Sequence, residues 1–148
     1  MTSPAQRIAE ASAAAMYERD HAAHGFGIAL EEVRPGYARL AMQVRQDMVN
    51  GHDICHGGLI FTLADTAFAY ACNSYNRVTV AAQCAITFTA AGKLGDRLTA
   101  ECQEQYASGR SGVYDVRVTR AGGDLIALFR GNSRTLTGDV APGFQVEP

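Results

Sequence analysis

Several common signatures are missing from this 148-residue chain. It has no basic run: thirteen Lys and Arg stand against fifteen Asp and Glu, for a net charge of −2. A surface that tracks phosphates usually shows a basic stripe, so nucleic acid is not an expected partner. The longest apolar run, Leu59 to Cys72, is interrupted by Asp65. As a helix it would span only about 21 Å, short of the ~30 Å hydrocarbon core, so no membrane association is expected. The opening residues, MTSPAQRIAEAS, contain no apolar signal segment, and a soluble, cytoplasmic protein is expected. The four cysteines, Cys55, Cys72, Cys84 and Cys102, show no CxxC spacing. Three of them sit in apolar runs, as buried thiols do, and no disulfide framework is expected. There is no P-loop and no G-x-S-x-G elbow, and Gly25-Phe26-Gly27 lacks the third glycine of a dinucleotide fingerprint.

What remains is a chain that is 47% hydrophobic and 19% charged, which excludes a disordered segment. At this length it can bury roughly two thirds of its unfolded surface in one core. No linker or repeat divides it, so residues 1–148 read as one domain, with an N-terminal helix over about 1–24 and a tail over about 138–148. Ser3-Pro4 is an N-cap followed by a first-turn proline, and it predicts an alanine-rich helix over 4–23 that stops at Gly25. Pro35-Gly36 joins two strands, 27–34 and 37–46. In the second strand Ala38, Leu40, Met42 and Val44 alternate with Arg39, Gln43 and Arg45. A polar loop, DMVNGHDICH, follows over 47–56. Gly57-Gly58 leads into an apolar helix, Leu59–Ser74, and four strands are predicted at 78–89, 96–107, 112–120 and 125–136. A helix apolar nearly all round must be buried on nearly every side. The expected fold is therefore α+β: one long central helix wrapped by a curved antiparallel sheet of five to six strands. A sheet of this kind has open edges, and a homodimer or homotetramer would cover them.

Asp65 carries the chemistry. It is the only charged side chain between His56 and Arg77, and an unpaired carboxylate on a buried helix costs several kcal/mol unless something compensates. Either it reaches an exposed point or caps a strand, or it points into a pocket as base or nucleophile. Gly57-Gly58 is a tight turn or a helix start whose free N–H groups can polarise a carbonyl. Asn50-Gly51 can be a turn. His52, Cys55 and His56 resemble a metal cluster only loosely, because HDICH has neither a fourth ligand at a familiar distance nor the glutamate of HExxH. His56 as a hydrogen-bonding side chain beside the glycines fits better, and no metal is expected.

The stretch Met48–Ser74, MVNGHDICHGGLIFTLADTAFAYACNS, resembles the hotdog-fold acyl-CoA thioesterases of the phenylacetate-degradation type. H-G-G followed by A-D-T-A-F-A on a helix carries the resemblance, and G-V-Y-D-V and A-L-F-R-G-N-S extend it to about Thr137. The resemblance implies hydrolysis of phenylacetyl-CoA, hydroxyphenylacetyl-CoA or a similar acyl-CoA to the free acid and CoA. It implies no cofactor, since CoA arrives with the substrate. It also implies active sites at the interface of a homodimer, itself often paired into a homotetramer. By the same resemblance Asp65 is the catalytic carboxylate and the Gly57 N–H polarises the thioester carbonyl. Asn50 and His56 place the thioester, with the Asn50–Gly57 group and Asp65 coming from opposite subunits. Where some relatives place a serine after the helix, this chain has Ala81-Ala82-Gln83, which leaves Thr66 or Gln83 to orient water. Gly58 and Phe68 are expected beside the substrate, and Arg110 and Arg134 are candidates for the CoA phosphates. A hotdog hydratase or dehydratase and a non-catalytic acyl-CoA-binding module are the alternatives. The first is disfavoured by the lack of a His/Glu dyad and the second by the lack of room for a DNA-binding segment.

Overall fold

A computed structural model of the chain describes residues 1–146. Of the tail expected over 138–148, residues 147 and 148 lie outside the described residues. Helix α1 spans Pro4–Arg19, a short α2 His21–Gly25 and the central helix α3 Gly57–Cys72. The strands are β1 Ala29–Arg34, β2 Tyr37–Gln43, β3 Thr79–Phe88, β4 Arg97–Ser108, β5 Ser111–Arg120 and β6 Leu125–Thr135. Every pairing is antiparallel, and the six strands lie in the order β1-β2-β4-β5-β6-β3.

The predicted elements are present, with three informative departures. Ser3 Oγ accepts from Gln6 N at 3.1 Å and starts α1 as expected, but the single helix over 4–23 is broken at Asp20. That carboxylate accepts from Ala23 N and from the Tyr70 hydroxyl, both at 3.1 Å. Aspartate is a strong N-cap, so tying it to α3 ends one helix and starts another. The strand predicted over 37–46 ends at Gln43, because Gln46–Met48 turns into one 3₁₀ turn. The central helix begins two residues earlier than predicted, so Gly57 and Gly58 form its first turn rather than leading into it.

Helix α3 touches all six strands, which is the enclosure its apolar circumference demands. Ile60, Leu63, Ala64, Ala67, Phe68 and Ala71 are buried against Leu40, Met42, Leu98, Val116, Val118, Ile126 and Phe129. Burying each of the Ile, Leu, Val, Met and Phe side chains among these contributes about 1.5–3 kcal/mol. Only glycine fits at position 131, where an added Cβ would lie 2.8–2.9 Å from three atoms of the Phe68 ring.

The two sheet edges are treated differently. At β1, α1 packs alongside and Gln6 Nε2 donates to Val33 O at 2.7 Å. At the other end β3 pairs only with β6. It is exposed along most of its length, with Val80 and Phe88 at 43% and 49%. This edge is long, apolar and uncharged, and natural proteins do not usually leave such an edge open.

The Phe68–Gly131 contact gives a stability prediction. Gly131→Ala should destabilise by about 1–3 kcal/mol through overpacking, read as a lower melting temperature. Phe68→Leu in the same chain should recover part of the loss.

Candidate active site

The loop before α3 is built by Asn50. Its side-chain Oδ1 accepts from His52 N at 2.9 Å and Ile54 N at 3.2 Å, closing an Asx turn. Asp53 adopts φ 58° within that turn. Cys55 N donates to Gly92 O at 2.7 Å and His56 N to Met48 O at 2.9 Å, anchoring both flanks of the helix entry. His56 occupies the N-cap of α3, but its side chain forms no cap bond and is exposed. The Gly57 and Gly58 N–H groups therefore head the helix with no side-chain cap, at the positive end of its dipole. Leu59 and Ile60 are the first residues to bond back, to His56 O. A hollow of about 460 Å³ opens beside Gly57, walled by Cys55, Ile60, Phe88 and 89–92. The Phe88 ring lies 2.8 Å from where a Gly57 Cβ would stand. Glycine thus keeps this helix start open.

Asp65 lies eight residues further along α3, about 12 Å by helical rise. It is half-buried and hydrogen-bonds to no described residue. Burial holds its carboxyl above the ordinary carboxylate range, because the charged form is desolvated. It borders a separate cavity of about 480 Å³, bounded by α1, α3, the start of β3, and residues 139 and 140. Burial, and after it the Asp65 charge, push the Cys84 thiol up, and the Cys72 thiol rises to about 12, chiefly through burial.

Within one chain the expected residues do not all converge. Asp65 and Gly57 face different hollows. Thr66 is on α3 beside Asp65, but its hydroxyl donates to Thr62 O at 2.6 Å. Gln83 does not meet Asp65. Past a register shift between Ala81 and Gln83, the strand places Cys84, Ile86 and Phe88 toward the helix and Gln83 on the outer face, where it accepts from Asn132 Nδ2 at 3.4 Å. Alternation along β3 dictates this, and within one chain Gln83 stands on the outer face and does not line the Asp65 cavity. Phe68 is only 1% exposed and packs against Tyr114 and Phe129. It is core that also borders the Asp65 cavity, and Gly58 is exposed on the first turn. Arg110 sits at the β4–β5 turn and Arg134 opposite Ser111 and Val80, at the same end of the sheet.

Other residues at the site were not read from the sequence. Met16 and Arg19 on α1, and Asp139 and Val140 beyond β6, line the Asp65 cavity. The tail is docked rather than free: Leu136 N donates to Val78 O, Val78 N to Gly138 O, and Ala141 N to Asn76 Oδ1 at 2.7 Å. Arg77 joins Arg110 and Arg134 at the sheet end. The spacing Asp65, Phe68, Ala69, Cys72, Asn73 was the available signal, since it marks one face of α3. Among the described residues, no group of three His, Cys, Asp or Glu could hold a metal ion, and no helix is long and apolar enough to cross a membrane.

The raised carboxyl sets the sign of a pH test. The unfolded chain releases the Asp65 proton at lower pH than the folded one. Ionisation therefore removes stability as pH rises from the ordinary carboxylate range through the folded value, and the penalty is complete above it. Asp65→Asn carries no charge. At neutral pH it should melt at the same or a higher temperature than the parent chain, and the difference should shrink toward pH 4.

Comparison with known proteins places these features in a family. The family model described as thioesterase superfamily matches residues 52–127. The acyl-coenzyme A thioesterase PaaI of Escherichia coli K12 is 44% identical over 129 residues, covering 87% of this chain and 92% of that one. The structure of E. coli PaaI, from the phenylacetic acid degradation operon, superposes with a TM-score of 0.89 at 43% identity, covering 90% and 97% of the two chains. A thioesterase protein from Streptococcus pneumoniae TIGR4, solved with coenzyme A, superposes with a TM-score of 0.78 at 25% identity, covering 84% and 98%. The central helix wrapped by an antiparallel sheet is thus that of a hotdog fold, and the chain belongs to the thioesterase superfamily.

Proposed function

We propose that this protein hydrolyses arylacetyl-CoA thioesters, phenylacetyl-CoA or hydroxyphenylacetyl-CoA, at two equivalent sites formed between two copies of the chain. The observation that carries this reading is the placement of Asp65 and Gly57 at opposite ends of the open edge strand. The Asp65 cavity is walled by Thr79, Val80 and Ala81 at the start of β3, whereas Gly57 packs against Phe88 at its end. Antiparallel pairing of β3 with its own copy about a two-fold axis juxtaposes the start of one strand with the end of the other. It brings Gly57 of one chain to Asp65 of the next and covers the exposed edge. A dimer of such dimers would give the tetramer.

In such a site the Gly57 N–H donates to the thioester oxygen, where negative charge grows as the carbonyl carbon is attacked. Asp65 accepts a proton from water as its oxygen adds to that carbon. The C–S bond then breaks and CoA leaves as the thiolate, a good leaving group that needs no strong acid. A carboxyl held above its ordinary range suits a general base working nearer neutrality. Asn50 acts through the loop it closes, and His56 stands beside the attacked carbonyl. Arg77, Arg110 and Arg134 form ion pairs with no described acidic side chain, and they offer a cationic sheet end to the CoA phosphates. The arylacetyl preference is supported by the similarity to E. coli PaaI, and use of CoA by the coenzyme A bound in the streptococcal structure. Four free thiols, three of them buried, fit a reducing, cytoplasmic setting.

The direct test measures CoA thiol released from phenylacetyl-, hydroxyphenylacetyl-, benzoyl- and straight-chain acyl-CoAs. The parent chain should favour arylacetyl groups, and Asp65→Asn should fall by about 10²-fold or more. Tight binding without release would point instead to a binding module. Alanine at Arg110 and Arg134 should raise KM with kcat little changed.

The shared site has its own test. Proline is well tolerated at the first position of a helix, but its Cβ would meet the Phe88 ring, so Gly57→Pro is made together with Phe88→Ala; relative to Phe88→Ala alone, losing the N–H should lower kcat about 10²–10³-fold. Refolding Asp65→Asn and Gly57→Pro chains together, both carrying Phe88→Ala, should restore activity to about a quarter of the Phe88→Ala level, since half the dimers then hold one intact site. No recovery on mixing would show that both groups act within one chain.

A further inference from the structure

The Asp65 cavity has a second wall that the hydrolytic chemistry does not use. It runs along one face of α3 from Asp65 through Phe68, Ala69 and Cys72 to Asn73, about 12 Å of helix. Opposite that face stand Met16 of α1 and Val140 of the docked tail. The floor offers no spare polar atoms. Asn73 Nδ2 donates to Thr79 O, and Thr79 N donates to Asn73 Oδ1, both at 2.9 Å. A floor whose polar groups are spent on one another gives little to water and favours an apolar occupant, and the charged groups of the cavity, Asp65, Arg19 and Asp139, stand apart from that floor pair. The tail is held against it by the Asn76–Ala141 and Val78–Gly138 bonds, so Val140 is a fixed wall. α1 is held equally firmly at its end, where Asp20 binds the Tyr70 hydroxyl and Tyr17 donates to Ile28 O at 2.8 Å.

We infer that Met16 and Val140 are the acyl-selecting residues, clamping the substrate's acyl group against the Asp65–Asn73 face of α3. This rests on the thioesterase reading above, because Asp65 at the mouth of the trough marks where the thioester carbon must lie. An acyl group that continues past the carbonyl enters between the two walls, and a flat ring or a short unbranched chain fits there. An acetyl group ends before it reaches them. Arg19 and Asp139 also line this cavity. They offer a donor and an acceptor to a hydroxyl carried on the distal edge of a ring.

The test compares kcat/KM for phenylacetyl-CoA with kcat/KM for acetyl-CoA in the full-length protein. Met16→Trp fills the trough from the α1 side and Val140→Trp from the tail side. The tail variant keeps the inference testable if the helix variant fails to fold. The phenylacetyl-to-acetyl ratio should fall at least tenfold in a folded variant, in line with the discrimination that one or two carbons' worth of pocket provides. Met16→Ala should shift the preferred straight-chain acyl-CoA toward greater length. A ratio equal to that of the parent chain in folded Trp variants would overturn the inference while leaving the thioesterase reading intact. A parent chain that releases no CoA thiol from any acyl-CoA would instead defeat that reading.

Discussion

One carboxylate on an otherwise apolar helix is the constraint on which this molecule is arranged. Helix α3 is buried on nearly every side by a sheet curved around it, and that burial supplies most of the core. Asp65 sits in the same helix with no partner of its own, and its ionisation opposes folding. The protein keeps this residue because the surrounding sheet stops short of it and a cavity opens there instead. Desolvation by the same walls lifts its proton affinity, which is the property a general base requires.

The open β3 edge follows from the same arrangement. β3 emerges from the end of the helix and must cross the sheet to pair with β6, so its second side is left without a strand. The proposed halves of the site then lie at opposite ends of this edge. Asp65 opens beside its first residues and Gly57 packs against its last. A single chain cannot bring together two groups eight residues apart on a rigid helix, whereas a two-fold axis through an antiparallel strand pair does so directly. Stability, edge protection and assembly of the site would then share one interface.

α1 and the tail act from outside the sheet. Both are fixed by hydrogen bonds from polar side chains, Asp20 to Tyr70 and Asn76 to Ala141, at points where the chain leaves regular structure. These bonds are worth little individually, but they hold two segments distant in sequence on facing sides of one trough. On the reading proposed above, selection of the acyl group would thereby be separated in the fold from the hydrolytic chemistry.

Local pattern determined a good deal here. Period-2 alternation in β2, the apolar run of α3 and the Pro35-Gly36 turn pointed to an antiparallel sheet around a buried helix. The charge of Asp65 within that run marked the one carboxylate that the helix carries into a cavity. These features are legible because backbone periodicity and burial cost act on neighbours in sequence. Tertiary structure alone decided the rest. Asp20 breaks the first helix because Tyr70, fifty residues away, binds it. Gln83 faces outward because a register shift at Ala81 resets the alternation. Met16 and Val140 line the same cavity because two unrelated segments dock over one face of α3. Contacts between residues far apart in the chain leave no period in the sequence, and the folded arrangement is where they first exist.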